Sequence, residues 1–312
     1  MTVLRLKKQE FSVPELLEMF LTEKRLNGIS PRTISDYRNH VLHLYRCHPD
    51  LLENPRGAVL SYLGRYDNAS SYNVKLAYIK VFLDWLMGEG HLLADRHPLY
   101  GIKKRRAQGR IVSIEEGTLQ RLLALPDKTR FSGLRDYALI LLQLDTGIRP
   151  GEALSLRKKD FSPGELRIVV PQDVAKTRQP RVLPLSLVVS KALTALLNAH
   201  DSSWRDATIF PTCAGAPMLP SVWAQLFKMR YAAVLGVNIT PYSLRHAFAL
   251  AFLRNEGNTL ALQRIMGHTT LTMTTRYVNF SDADLRAQHE KASPLAGLAE
   301  EPRRRRGKLK KP

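Results

Sequence analysis

The chain has 312 residues, 44% hydrophobic and 24% charged, with Lys+Arg 47 against Asp+Glu 28 and a formal net charge of +19. That apolar content supports a packed core and excludes wholesale disorder, and no apolar run approaches the roughly 20 residues needed to cross a membrane. Two cysteines, Cys47 and Cys213, exclude a disulfide framework and fit a reducing, cytoplasmic setting, and the opening MTVLRLKKQE carries no apolar signal stretch. Such an excess of positive charge points to a polyanionic partner, nucleic acid being the commonest. Seven of the positive charges lie in RRRRGKLKKP (303–312), so most of the excess belongs to the remainder of the chain.

The length predicts about two domains. Ser12-Val13-Pro14-Glu15 has capping-box spacing, and Leu16, Leu17, Phe20 and Leu21 then make one apolar face before Gly28. Ser30-Pro31 opens a second helix with Ile34, Tyr37, Val41, Leu44 and Tyr45 inward. Asn54-Pro55 opens a short third, and Ser71 onward a fourth with Leu76, Ile79, Phe82, Leu83 and Leu86 inward. Residues 1–100 thus read as a small all-helical domain. GIKKRRAQGR (101–110) is a glycine-bounded basic run, and 101–112 reads as a linker that is either solvated or laid along a phosphate backbone.

A second domain is expected over 113–292. Ser113 and Glu116 have capping-box spacing ahead of Leu119, Leu122, Leu123 and Leu125. Leu134–Leu144 is a strongly apolar helix that breaks at Thr146-Gly147, and Pro150 opens another reaching Leu156. From Glu165 to Leu185 the pattern turns to strands, with Leu166, Ile168 and Val170 alternating and Val182-Leu183 following a polar turn. Helices are predicted again over 185–199, 221–235, 241–255, 258–266 and 269–279. The expectation is a mainly α protein whose second domain carries one small antiparallel sheet, with 293–312 a basic, disordered tail.

Four segments carry chemistry-bearing residues: TGIRPGE (146–152), Lys176 ahead of RVLPL (181–185), YSLRH (242–246), and Gly267-His268 with Tyr277 nine residues beyond. Singly each is weak, since an arginine in a turn is usually a surface ion pair and an isolated tyrosine is usually core. Together they fit one kind of site. Two arginines offer planar, permanently charged donor forks for a phosphodiester whose charge grows in the transition state. A lysine can protonate a leaving oxygen, a histidine can bond or protonate a phosphate, and a phenol can act as covalent nucleophile. No acidic cluster of the kind that holds two catalytic metals is present, so metal-free phosphoryl transfer through a protein–DNA ester is expected. His40, His43 and Cys47, with His48 beside them, share a helix face and hint at zinc. With no second ligand cluster, exposed polar positions on a DNA-facing helix explain them better. No metal and no cofactor is expected.

These segments, in this order over about residues 11–290, resemble the tyrosine recombinases of the phage-integrase superfamily, nearest in layout to Xer-type and transposon-integrase members. The resemblance implies a helical, SAM-like core-binding domain, a basic linker and a mixed, mostly helical catalytic domain. It implies Arg149 and Arg245 as the catalytic arginines, Lys176 as general acid on the 5′ oxygen, His268 as the late histidine and Tyr277 as nucleophile. Glu152 matches a supporting acidic position. The implied reaction forms a 3′-phosphotyrosyl bond and a free 5′-hydroxyl, so strands are rejoined without ATP or metal. Tyr242 departs from the pattern, standing where the family usually has histidine. A phenol can still donate to a phosphate oxygen but shuttles protons poorly near neutral pH. The competing reading is a weakened catalyst, kept as a DNA-binding accessory protein. A type IB topoisomerase is disfavoured by the separate first domain. His246 is assigned a structural or DNA-contacting role, and Lys103, Lys104, Arg105, Arg106 and Arg181 are assigned to DNA. Tyr231 and Tyr242 lack the spacing of Tyr277 from His268. The family's pattern further implies a clamp on double-stranded DNA, a homotetramer on paired sites, a donated segment at Ser281–Lys291 and a nucleoid location. The tail is then an extra DNA anchor or a solvated end.

Overall fold

The computed structural model describes residues 11–92, 95–107, 113–278, 286, 289–290 and 292–294. The chain divides into two compact units, Met1–Gly109 and Arg110–Pro312. No described helix is long and apolar enough to cross a membrane.

The first unit is built from α1 (Val13–Leu26), α2 (Pro31–Cys47), α3 (Pro55–Gly64) and α4 (Ala69–Gly88). Each start has a local cause. The Glu15 carboxylate accepts from Ser12 N at 2.8 Å and Ser12 Oγ at 2.7 Å. Ser30, Asn54 and Asn68 accept from the backbone three residues on, which satisfies a donor that the first turn leaves open. Asn68 therefore starts α4 at Ala69, ahead of the Ser71 expected from the apolar pattern. The apolar faces meet around Phe20, whose ring stands edge-on to Tyr37, Phe82 and Trp85 at 5.1, 5.4 and 5.6 Å. His40 stacks on Tyr78 at 4.6 Å, and His43 Nδ1 lies 2.7 Å from the Tyr62 hydroxyl. Both imidazoles thus serve contacts within the bundle.

The basic run after this bundle differs from a free linker. Ile102 packs against the first core. Asn73 holds the backbone of Arg105 on both sides, Nδ2 to its carbonyl and Oδ1 to its N–H, each at 2.8 Å. The Arg105 guanidinium donates to Tyr66 O at 2.5 Å and lies 3.9 Å over the Tyr72 ring. Tyr72 Oη also donates to Lys103 O at 3.4 Å, so residues 101–107 are strapped to α4 while the side chains of Lys103, Lys104 and Arg106 stay exposed.

The second unit starts with α5 (Glu116–Ala124), whose N-cap is Glu115, so Ser113 is not the cap. Then come α6 (Phe131–Thr146), α7 (Pro150–Ser155), β1 (Phe161–Ser162), β2 (Arg167–Val170), β3 (Arg181–Pro184) and α8 (Leu187–Asn198). They are followed by α9 (Pro220–Phe227), a π-helical turn Lys228–Ala232, α10 (Ala233–Leu235), α11 (Pro241–Arg254), α12 (Thr259–Met266) and α13 (Leu271–Thr275). The sheet is antiparallel in the order β1-β2-β3, with Ile168 opposite Phe161 on one side and Leu183 on the other. Leu166 takes φ 48°, a left-handed conformation that ends the strand there, so alternation begins at Arg167 and not at Leu166. The helix α6 is the hub. It is buried nearly all round and packs against both α8 and α11, which explains its unbroken apolar sequence. Its two buried charges are paired: Arg135 donates to Asp136 at 2.7 and 2.9 Å, and Tyr231 donates to the same carboxylate at 2.7 Å.

Candidate active site

The segment that ends α6 and starts α7 aims the first arginine. Gly147 has φ +61°, and a Cβ there would lie 2.4 Å from Phe248 Cδ1, so both conformation and space call for glycine. Pro150 occupies the first position of α7 and Arg149 its N-cap. Glu152, at the third position, reaches back to Arg149 N at 3.4 Å and takes Arg149 Nη1 at 3.2 Å. The same buried carboxylate accepts Arg181 Nη2 at 2.6 Å and Lys176 N at 3.1 Å. One side chain thus caps a helix, fixes an arginine and ties down the β2–β3 hairpin.

The second arginine comes from α11. A reciprocal cap starts that helix: Thr240 N donates to Ser243 Oγ at 3.0 Å and Ser243 N to Thr240 Oγ1 at 3.3 Å. Arg245 is fully buried and donates to Gly147 O at 2.5 Å and to Met266 O at 2.8 Å. Arg149 also reaches the C-terminus of α12, with Nη1 at 3.3 Å from Met266 O and Nη2 at 3.1 Å from Gly267 O. The two guanidiniums thus share an acceptor. The open carbonyls at that helix end, where Gly267 closes the turn at φ +62°, carry the negative pole of the helix dipole.

His268 follows directly and is buried, with Nδ1 2.8 Å from Thr274 Oγ1. Burial, then the charges of Arg245, Arg149 and Arg181, push its pKa down to about 4, so it is neutral at neutral pH. Tyr277, in the turn after α13, lies parallel to the His268 ring at 6.4 Å. Its hydroxyl sits 2.8 Å from His246 Nδ1. Burial raises the Tyr277 pKa against the lowering pull of Arg245, Arg276 and Arg149. A small cluster of Phe248, Ala249, Leu262 and Met266 backs the phenol. Tyr242 is 47% exposed, and its ring meets His246 edge-on at 5.1 Å.

The electrostatics of this group are unbalanced. Burial would raise the Glu152 pKa, but the bonds and charges of Arg181, Lys176 N and Arg149 outweigh it and hold the group ionised. Burial and the neighbouring Arg149 lower the Arg245 pKa, yet a guanidinium stays charged at neutral pH. Three guanidiniums therefore face one carboxylate. Two of their donors, Arg245 Nε and Arg181 Nη1, are buried without an acceptor. A buried donor left unpaired is costly. A cleft of about 550 Å³ lined by Arg181, Gln263, Gly267, His268 and Thr269 opens beside them.

Of the residues singled out in sequence, Arg149, Glu152, Arg245, His246, His268 and Tyr277 converge here. Lys176 joins through its backbone, with its side chain exposed on the hairpin. Arg181, assigned to DNA, also lines that cleft. Its Nε donates to Ile265 O at 2.9 Å and Nη2 to Glu152, so it is an interior member of the cluster. The signal lay in its position as the first residue of β3, opposite Val170 and beside the Lys176 turn. Lys103, Lys104, Arg105 and Arg106 belong to the first unit. Tyr231 is buried and its hydroxyl is spent on Asp136, to which it donates at 2.7 Å, with its pKa raised by burial first and by that carboxylate next. Among the described residues no group of three or more His, Cys, Asp or Glu gathers to hold a metal ion. Ser281–Lys291 lies mostly, and the tail beyond 294 wholly, outside the described residues.

Residues 113–284, more than half of the chain, match the phage integrase family. The chain is 35% identical over 166 residues to the tyrosine recombinase XerC of Methylobacterium sp. (strain 4-46), a match spanning 52% of this chain and 51% of that protein. It is 24% identical to the tyrosine recombinase XerD of Listeria monocytogenes, covering 91% of this chain and 99% of the relative. It is 28% identical to the tyrosine recombinase XerA of Thermococcus kodakarensis, covering 91% and 97%. Among solved structures, the Tn1549 transposon integrase in complex with a circular intermediate DNA superposes with a TM-score of 0.71 at 17% identity, covering 90% of this chain and 99% of that one. A lambda integrase dimer bound to a COC′ core site gives 0.69 at 16% identity, covering 84% and 97%. Both structures share the mainly helical fold with its small sheet.

Proposed function

The chain belongs to the phage integrase family, and we propose that this tyrosine-type site-specific DNA recombinase uses Tyr277 as its nucleophile on a scissile phosphate held by Arg149 and Arg245. The observation that supports this most is the excess of three guanidiniums over one carboxylate, with Arg245 Nε and Arg181 Nη1 left unpaired. Arg149 and Arg245 neutralise the charge that grows on the non-bridging oxygens as Tyr277 Oη attacks phosphorus. His268, neutral with Nδ1 turned to Thr274, keeps its other nitrogen for a phosphate oxygen. Lys176, on its exposed hairpin, protonates the departing 5′ oxygen. Tyr242 keeps a hydrogen bond to the phosphate without proton transfer. The phosphotyrosyl ester retains the bond energy, and attack by a 5′-hydroxyl rejoins the strand in integration, excision or resolution of a DNA element.

DNA is the partner, and a homotetramer on two paired sites is the working assembly. Two of the solved neighbours, each bound to DNA, support the former, and a lambda integrase tetramer bound to a Holliday junction supports the latter. Lys103, Lys104 and Arg106, exposed on the first unit, supply phosphate contacts that fix register without reading sequence. A helical first domain that carries the basic run along α4, a catalytic domain over 113–292, and a cytoplasmic, nucleoid-associated location complete the reading. A fold that binds DNA without turnover is not favoured, because the tyrosine-recombinase constellation is complete apart from Tyr242. The test is a nicked duplex built from a sequence selected by binding out of a random library, incubated without divalent metal. A denaturing gel is expected to hold a slow protein–DNA band with the wild type and none with Tyr277→Phe. Specific binding with no covalent band in the wild type overturns the assignment.

A further inference from the structure

Two histidines flank Tyr277, and only one reaches its reacting atom. His268 faces the phenol ring at 6.4 Å but spends Nδ1 on Thr274. His246 places Nδ1 2.8 Å from Tyr277 Oη, across 31 residues of sequence and between two different elements. Tyr242 is one helical turn before His246 on α11, exposed, and touches the imidazole only with its ring edge. A phenol at position 242 therefore leaves the proton-accepting work near Tyr277 to another group.

We propose that His246 is the general base of the cleavage step, taking the phenolic proton of Tyr277 through Nδ1. The proposal rests on the reading of Tyr277 as nucleophile. In the forward step the Tyr277 Oη–H bond breaks and its proton moves to Nδ1. The freed oxygen pair forms the bond to phosphorus, and the P–O5′ bond breaks with its pair left on the 5′ oxygen. That oxygen takes a proton from Lys176. Rejoining runs backward: the 5′-hydroxyl gives its proton to Lys176, attacks phosphorus, and the departing phenolate recovers its proton from His246. Protons and electrons balance without metal or oxidant.

The surroundings suit this role. Burial first, then Arg245 and Arg276, lower the His246 pKa, so the imidazole is neutral and able to accept. Burial raises the Tyr277 pKa, so the phenol does not ionise unaided. The charged and titratable groups facing His246 are Arg245 and Tyr242 on its own helix, Arg276 and Tyr277 after α13, and His268 after α12. The neighbouring cations resist imidazolium, and the growing negative charge on the phosphate compensates it as the proton arrives.

The test measures single-turnover covalent-complex formation by the full chain on the same nicked duplex. His246→Asn keeps an amide near Nδ1 but cannot take a proton, and His246→Gln repeats the comparison with a longer amide. Both are expected to slow cleavage by about 100-fold or more, with native-gel DNA binding retained. Introducing a ring-fluorinated tyrosine at 277, whose phenol ionises near neutral pH, is expected to bring His246→Asn back to within about tenfold of the wild type, a rescue that a merely structural histidine does not permit. Cleavage by both amide variants at the wild-type rate, or no rescue by the fluorinated ring, overturns the base assignment alone. A covalent band that survives Tyr277→Phe overturns the nucleophile and the base together.

Discussion

Replacing Glu152 with glutamine removes the carboxylate that pairs with Arg149 and Arg181 beside Arg245, with little change of shape. Glu152 is 3% exposed and takes Arg181 Nη2 at 2.6 Å, Arg149 Nη1 at 3.2 Å and Lys176 N at 3.1 Å. Glutamine keeps one acceptor, but turns an amide N–H toward one of the arginines and leaves their mutual repulsion uncompensated. Removing one partner of a buried ion pair costs about 3–5 kcal/mol. For a domain of about 200 residues that corresponds to a Tm lower by about 6–20 °C. Thermal unfolding followed by circular dichroism measures it, with Glu165→Gln as control. Glu165 pairs with Arg167 at the exposed surface, where loss costs at most about 1 kcal/mol. Added inorganic phosphate is expected to raise the Tm of Glu152→Gln more than that of the wild type, because an anion then offsets charge that the carboxylate no longer does. A Tm within about 2 °C of the wild type refutes the argument that this carboxylate balances the cluster.

Gly147→Ala forces φ +61° on a residue with a Cβ and drives that Cβ to 2.4 Å from Phe248, so denaturant unfolding is expected to show a loss of about 2–4 kcal/mol. The His268 pKa lies at about 4 in the fold, below its ordinary value near 6.5, so the fold favours the neutral ring. Its contribution, up to roughly 3 kcal/mol, is present above pH 6.5 and lost as the pH falls through about 4. Acid unfolding curves of His268→Asn are accordingly expected to be flatter than the wild type in that window. Tyr242→Phe removes the hydrogen bond proposed to the anionic phosphate and is expected to slow single-turnover cleavage by about 10- to 100-fold. A loss of a thousandfold in that assay would instead give Tyr242 a part in proton transfer.

What was readable in the sequence is what local chemistry dictates. Thr146-Gly147 as a left-handed helix stop, Pro150 at the next start and Glu152 three positions past Arg149 specify a turn whatever surrounds it. Thr240-Pro241 starts α11, although the third cap residue is Ser243 and not a carboxylate. The apolar stripes of α1, α2 and α4 followed from helical spacing because those faces meet a core, and α6 from its unbroken apolar run. The rest depended on partners distant in the chain. The strand β1 is two residues long and exists only because β2 pairs with it, so no alternation announces it. Residues 101–107 are charged, as a linker would be, and only Asn73, Tyr66 and Tyr72 reveal that they are held. Arg181 resembles any hairpin arginine until Glu152 and Ile265 O are brought to it. The contact between His246 and Tyr277 spans 31 residues and has no periodicity to betray it.

The nucleophile is identified by trapping the wild type on the nicked duplex, digesting the covalent adduct with protease and nuclease, and sequencing the modified peptide by tandem mass spectrometry. A nucleotide carried on Tyr277 is the expected result. A nucleotide on Tyr242, on another residue, or no adduct from protein that binds the duplex specifically would contradict it.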